Sequence, residues 1–151
     1  MDPDLEDTVV PGEAPPRGAA PVETPPVDPR RYGFRVGGSR RTVLLDAPAY
    51  VGRAPVAPRI QHGPRPLLIR VPSPLGEVSS THLEVRQLGT SVVVTDLRST
   101  NGSRVRVPGR PPRALRQGES MVVTPGTLVD IGDGIVIEIL PLQRRLGGPH
   151  V

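Results

Sequence analysis

The sequence predicts an all-β domain, an antiparallel sandwich or barrel of about ten strands, behind an N-terminal tail. Three observations carry that reading. Strand-length apolar runs rich in Val, Ile and Leu recur from residue 32 onward, Gly and Pro separate them, and no ten-residue stretch keeps an i, i+3, i+4 apolar spacing without a breaker. The 151 residues fit one domain with a single core.

Residues 1–31 form the tail. Within residues 1–28 seven acids and one base, Arg17, give a net charge of −6, and eight prolines fall in the first 29 positions. With no aromatic residue and little apolar pattern, this acidic segment is expected to be disordered with polyproline II character. From Tyr32 the texture changes. The runs "GFRV" (33–36), "TVLL" (42–45), "AYVG" (49–52), "LLIRV" (67–71) and "HLEVR" (82–86) read as strands. So do "SVVVTDL" (91–97), "RVRV" (104–107), "SMVVT" (120–124), "TLVDIG" (127–132) and "GIVIEIL" (134–140). Aromatic residues make up 2% of the chain, so Val, Leu and Ile must fill the core. Residues 143–151, "QRRLGGPHV", read as a flexible end.

Charge and reactive side chains narrow the function. Residues 29–151 hold eighteen arginines and eight acids, a net of +10, which with the tail gives +4 overall; there is no lysine. An acidic tail is joined to a basic body. The chain has no cysteine, and its three histidines, His62, His82 and His150, lack metal-ligand spacing, so neither a metal nor another cofactor is expected. The opening "MDPDLEDTVV" is not a leader pattern, and no apolar window is long enough to span a bilayer. These features lead us to expect a soluble, cytoplasmic monomer without a membrane partner.

Between Val94 and Val105 the chain reads "VTDLRSTNGSRV", where Ser99, Thr100, Asn101 and Gly102 follow a strand. The simplest reading is a hairpin turn, because Asn-Gly between apolar runs is a strong short-range hairpin signal. Two further segments change its meaning: "YVGR" (50–53) and "VSSTHLEV" (78–85). Together the three resemble the forkhead-associated (FHA) domain, with a Gly-Arg after an early strand, a Ser followed three residues later by His, and Asn-Gly after Ser-Thr. The resemblance covers about 32–142 and continues in "LRQGESMVVTPGTLVDIG" (115–132). It implies an FHA-like β-sandwich of about 10–11 strands that binds phosphothreonine on a partner protein and acts without catalysis in Ser/Thr kinase signalling.

The chemistry of such a ligand agrees with the residues. A phosphate dianion carries three acceptor oxygens and about −1.5 to −2 charges, so it needs a fixed cation with hydroxyl and backbone N–H donors on rigidly held loops. Carried over residue by residue, the resemblance assigns the ligand to Arg53, Ser79, Ser80, Thr100 and Asn101. It gives Gly52, His82 and Gly102 structural roles. Ser80 stands where the family often carries Arg, Lys or Asn, and the twenty-five residues between Arg53 and Ser79 form a long, Pro-rich connection. Each pick also has a plain alternative: Arg53 as a solvated surface arginine, Ser79 as a loop hydrogen-bonder, Asn101 as a turn residue.

The tail adds a possible second element. Thr8 follows Asp2, Asp4, Glu6 and Asp7 and precedes Val9 and Val10, resembling sites modified by bacterial Ser/Thr kinases near the N-termini of actinobacterial FHA proteins. Thr24 is a weaker candidate. A phosphorylated Thr8 tethered to the domain would compete for its site. Against these readings stand a phosphate-independent scaffold on the same fold and a basic nucleic-acid binder. The scarcity of stacking aromatics argues against nucleic acid. No nucleotide loop, carboxylate pair or Ser-His-Asp constellation supports an enzyme.

Overall fold

The structure, a computed structural model, describes residues 30–144; the acidic tail with Thr8 and Thr24, and residues 145–151, lie outside the described residues. Eleven strands and no helix occur among them. In chain order these are β1 (Arg30–Val36), β2 (Val43–Leu44), β3 (Ala49–Gly52), β4 (Leu67–Arg70), β5 (Leu83–Leu88) and β6 (Ser91–Asp96). They continue with β7 (Ser103–Arg106), β8 (Arg113–Leu115), β9 (Ser120–Val123), β10 (Leu128–Asp130) and β11 (Val136–Arg144). One sheet of five strands has the order β9-β6-β5-β3-β4, and one of six has the order β2-β1-β11-β10-β7-β8. The expected all-β architecture is therefore present as two sheets enclosing one core.

The apolar runs form strands because each presents branched side chains to that core. In β6 the alternation is strict: Val92, Val94 and Asp96 face inward, while Ser91, Val93 and Thr95 are partly exposed. β5 buries Leu83 and Val85, and β3, paired on both sides, buries all four of its residues. From the other sheet Phe34, Val105, Val129, Ile137 and Ile139 complete the cluster, every one essentially inaccessible. With few aromatics, cohesion rests on many small branched contacts.

The pairing departs from a purely antiparallel scheme at one place. β3 and β4 run parallel, from Ala49 opposite Leu67 to Gly52 opposite Arg70. A parallel neighbour needs a crossover of a dozen or more residues, and the Pro-rich segment 53–66 supplies that length. β1 and β11 also extend beyond the 32–142 span read from sequence, since Arg31 pairs with Gln143 and Arg30 with Arg144 after an irregularity between Leu140 and Gln143. Arginine-rich ends carry no apolar alternation and so do not announce a strand.

Three connections meet at one end of the sandwich: the residues after β3, the residues before β5, and the β6–β7 loop. No helix long and apolar enough to cross a membrane occurs among the described residues. Phe34 is the single phenylalanine of the chain and is fully buried. Phe34→Ala should cost about 3–5 kcal/mol, read as a lowered denaturation midpoint in a chemical unfolding titration. A shift within experimental error would mean that the core does not depend on this ring.

Candidate functional site

The site begins where β3 runs out at Gly52. A Cβ on that residue would lie 2.0 Å from the Ser80 carbonyl oxygen and 2.9 Å from that of Ser79, so only glycine lets the two backbones approach this closely. The contact continues as hydrogen bonds. The Arg53 N–H donates to the Ser79 carbonyl at 3.1 Å and the Ala54 N–H to the Ser80 carbonyl at 3.1 Å. The Arg53 Nε–H donates to the Val78 carbonyl at 3.0 Å. Anchoring the guanidinium through Nε aims the side chain and leaves its terminal amino groups without a hydrogen-bond partner among the described residues. A fork of that kind suits a bidentate anion.

His82 connects this loop to the next. It is fully buried; its Nδ1 accepts the Ser79 N–H at 3.0 Å, and its Nε2 lies 2.8 Å from the Gly102 carbonyl. An acceptor at Nδ1 and a carbonyl opposite Nε2 fix the neutral ring with its proton on Nε2. Burial pushes the imidazole below its ordinary value; the Gly102 carbonyl and the Asp96 carboxylate, 3.9 Å away, pull more weakly the other way. A neutral ring held on both nitrogens is a brace between the two loops.

The β6–β7 loop is organised from beneath by Asp96. Its Oδ1 accepts the hydroxyls of Ser99 and Ser103, each at 2.6 Å, and its Oδ2 accepts the Ser99 N–H at 3.0 Å. Ser99 Oγ in turn accepts the Gly102 N–H at 2.9 Å, and Gly102 takes a φ of 84°, the left-handed region that glycine tolerates. With these polar groups satisfied below the surface, Thr100 and Asn101 stay exposed. The Thr100 N–H then donates to Ser79 Oγ at 3.0 Å. Because Ser79 Oγ accepts here, its own proton remains available to an incoming oxygen.

Arg53, Ser79, Ser80 and Thr100 line one surface cavity of about 370 Å³, together with Thr81 and Arg98. No carboxylate of the described residues lines it. Asn101 is turned aside: its Nδ2 donates to the Glu77 carbonyl at 3.1 Å, and it lines the adjoining cavity with Glu77 and Asp130. Four of the five ligand candidates therefore share a surface and the fifth forms its boundary. Sequence reasoning missed Arg98, and it missed the buried Asp96–Ser99–Ser103 cluster. For Asp96 a signal existed, since the β6 alternation places it on the inward face with Val92 and Val94.

No family model matches the sequence, and no curated protein sequence matches it significantly. Solved structures do. An FHA domain from a structural and functional study of phosphothreonine-dependent FHA domain interactions matches with 24% identity and a TM-score of 0.50, over 74% of this chain and 96% of that one. The FHA domain of human APLF, in complex with an XRCC1 bisphospho peptide, matches with 14% identity and a TM-score of 0.55, over 74% and 98%. Mycobacterium tuberculosis EmbR, in complex with a low-affinity phosphopeptide, matches with 22% identity and a TM-score of 0.50, over 73% of this chain and 24% of that one. The fold is that of an FHA domain. On this FHA scaffold the cavity sits at the loop end of the sandwich, where β3, β5, β6 and β7 deliver their connecting residues.

The brace gives the FHA fold a defined pH response. Because burial lowers the His82 pKa in the folded state, the unfolded chain binds the extra proton more readily once pH falls below about 6.5. The stabilisation is thus present above that value and is lost as pH falls from about 6.5 towards the depressed folded-state value. A proton on Nδ1 would also face the Ser79 N–H, donor against donor. Thermal melts between pH 7.5 and 5 should show a falling midpoint in the wild type and a flatter profile in His82→Gln. Parallel profiles would remove His82 as the titrating group.

Proposed function

We propose that this chain is a phosphothreonine-dependent protein-binding module, acting without catalysis in Ser/Thr kinase signalling. The observation that carries the proposal is the convergence of Arg53, Ser79, Thr100 and Ser80 on one cavity that no carboxylate of the described residues lines. Each group has a task. Arg53 presents its terminal N–H pairs to two phosphate oxygens, while Ser79, Thr100 and Ser80 offer hydroxyl donors to the oxygens that remain. Asn101, at the rim, contacts the ligand backbone once its amide exchanges the Glu77 carbonyl for a peptide carbonyl. Further support comes from the solved FHA structures bound to phosphopeptides.

The donors for a phosphate are also held in place before it arrives. The donors sit on loops pinned by backbone hydrogen bonds, so little conformational freedom is lost on binding. The test compares wild type with Arg53→Ala against a phosphothreonine peptide library and its unphosphorylated counterpart. We expect the wild type to bind only the phosphorylated set and Arg53→Ala to lose at least about tenfold in affinity, the value of one charge-assisted hydrogen bond. Arg53 is exposed, so its melting midpoint should change little. Partner capture that survives Arg53→Ala at full strength would instead identify a phosphate-independent scaffold.

The same site is proposed to bind the chain's own tail after phosphorylation of Thr8. Twenty-one residues separate Thr8 from Arg30. Fully extended they span up to about 70 Å, more than the diameter of a domain of this size. Tethering raises the local ligand concentration to about the mM range. Phosphorylated full-length protein should therefore bind an added phosphopeptide more weakly than the unphosphorylated form, and Thr8→Ala should abolish the difference. Equal affinities before and after verified Thr8 phosphorylation would end the idea.

A further inference from the structure

Arg98 stands out on three independent grounds. It is one of two non-glycine residues among the described ones with positive φ, at 54°; the other is Asp133, at 53°. Left-handed backbone is unfavourable for a long side chain, and such outliers persist where something else requires them. At Asp133 the requirement is visible. Its carboxylate accepts the Ser73 hydroxyl and the backbone N–H groups of Leu75 and Glu77, and Asp tolerates this conformation. At Arg98 the turn that Asp96 closes on the Ser99 N–H sets the backbone but gives no reason for a long side chain, since the guanidinium makes no hydrogen bond or ion pair among the described residues. Glycine would serve the backbone better.

The second ground is place. Arg98 lines the same cavity as Arg53, Ser79 and Thr100. Its guanidinium lies against the turn at Gly118, where a Cβ would come within 3.9 Å of Cζ; with φ at 79° that turn favours glycine and leaves the flat group room. The third ground is charge. Arg53 brings one positive charge to a cavity whose proposed guest carries about −1.5 to −2. Ser80, the neighbouring loop residue, brings none. With Arg98 counted, two arginines and no acid of the described residues line the cavity, which balances a dianion.

We propose that Arg98 is the second phosphate-binding cation of this site, taking up the charge that Arg53 alone leaves unbalanced. The inference rests on the phosphothreonine reading above and assigns Arg98 a direct contact with a phosphate oxygen. It makes the site selective for the dianionic form of the ligand. The arginine is retained against backbone preference because its charge acts on the guest, not on the fold.

The experiment uses the full, unphosphorylated chain with two probes: a phosphothreonine nonapeptide with alanine at every other position, and the same peptide with aspartate on both sides of the phosphothreonine. Wild type, Arg98→Gly, Arg98→Lys and Arg53→Ala are compared by calorimetry at pH 7.5 and 5.5. Arg98→Gly should lose about tenfold in affinity for the alanine-flanked peptide at pH 7.5, and Arg98→Lys should recover part of it. The melting midpoint of Arg98→Gly should equal or exceed that of the wild type. Because the second phosphate pKa is about 6, the wild type should weaken on going to pH 5.5 more than Arg98→Gly does.

Several results would overturn the assignment. Equal affinity of wild type and Arg98→Gly for the alanine-flanked peptide would remove Arg98 from the phosphate. A loss confined to the aspartate-flanked peptide would move its partner to a carboxylate side chain of the ligand. A lowered melting midpoint in Arg98→Gly alongside weaker binding would make it a structural residue. A wild type that binds neither peptide would bring down the phosphothreonine reading and this inference together, whereas a wild type that binds and loses binding in Arg53→Ala alone refutes the role of Arg98 only.

Discussion

A single neutral imidazole holds the working end of this domain together. His82 takes the Ser79 N–H on one nitrogen and faces the Gly102 carbonyl with the other, so two loops far apart in sequence are fixed relative to each other. Everything above the ring inherits its position. The Thr100 N–H reaches Ser79 Oγ because Gly102 is pinned to the ring and Ser99 is pinned to Asp96. The arrangement works only while the ring is uncharged, since Nδ1 must accept. Burial secures that state by making the charged form costly.

Beneath the brace lies a division of labour between buried and exposed polar groups. Asp96, Ser99 and Ser103 satisfy one another within a nearly inaccessible cluster. Arg53, Ser80 and Thr100 remain exposed above it. A loop whose own hydrogen bonds are closed underneath has donors to spare on top. The close approach of Gly52 to Ser79 and Ser80 repeats this logic on the other side of the cavity, where backbone contact fixes the loop and leaves the Arg53 amino groups outward.

Much of this was legible in the residues. Alternation and Gly-Pro punctuation gave the strands, since branched side chains on a pleated surface leave a period-2 trace. The three motifs pointed to Arg53, Ser79, Ser80 and Thr100, which share one cavity because β5 runs antiparallel to both β3 and β6, so that the end of β3, the start of β5 and the end of β6 fall together. Other features leave weaker traces. The parallel β3–β4 pair is invisible because a strand's own pattern does not record its neighbour's direction. Asp96 reads as a turn residue until its register is counted against Val92 and Val94. Arg98 hides among eighteen arginines of the body, as φ is not written in residue type. The rim position of Asn101 depends on a hydrogen bond to Glu77, formed by a loop whose path no motif specifies.

The pairing of β1 with β11 has a consequence for how the chain is made. Arg30 lies opposite Arg144, so the first described strand cannot find its partner until more than a hundred further residues have been made. Synthesis at about 5–20 residues per second keeps β1 waiting for several seconds. During that time its other sheet neighbour among the described residues is β2, a strand of two residues. Closure of the six-stranded sheet therefore waits for β11, and a nascent chain stalled short of β11 exposes the apolar face of Phe34 to whatever holds unfinished proteins in solution.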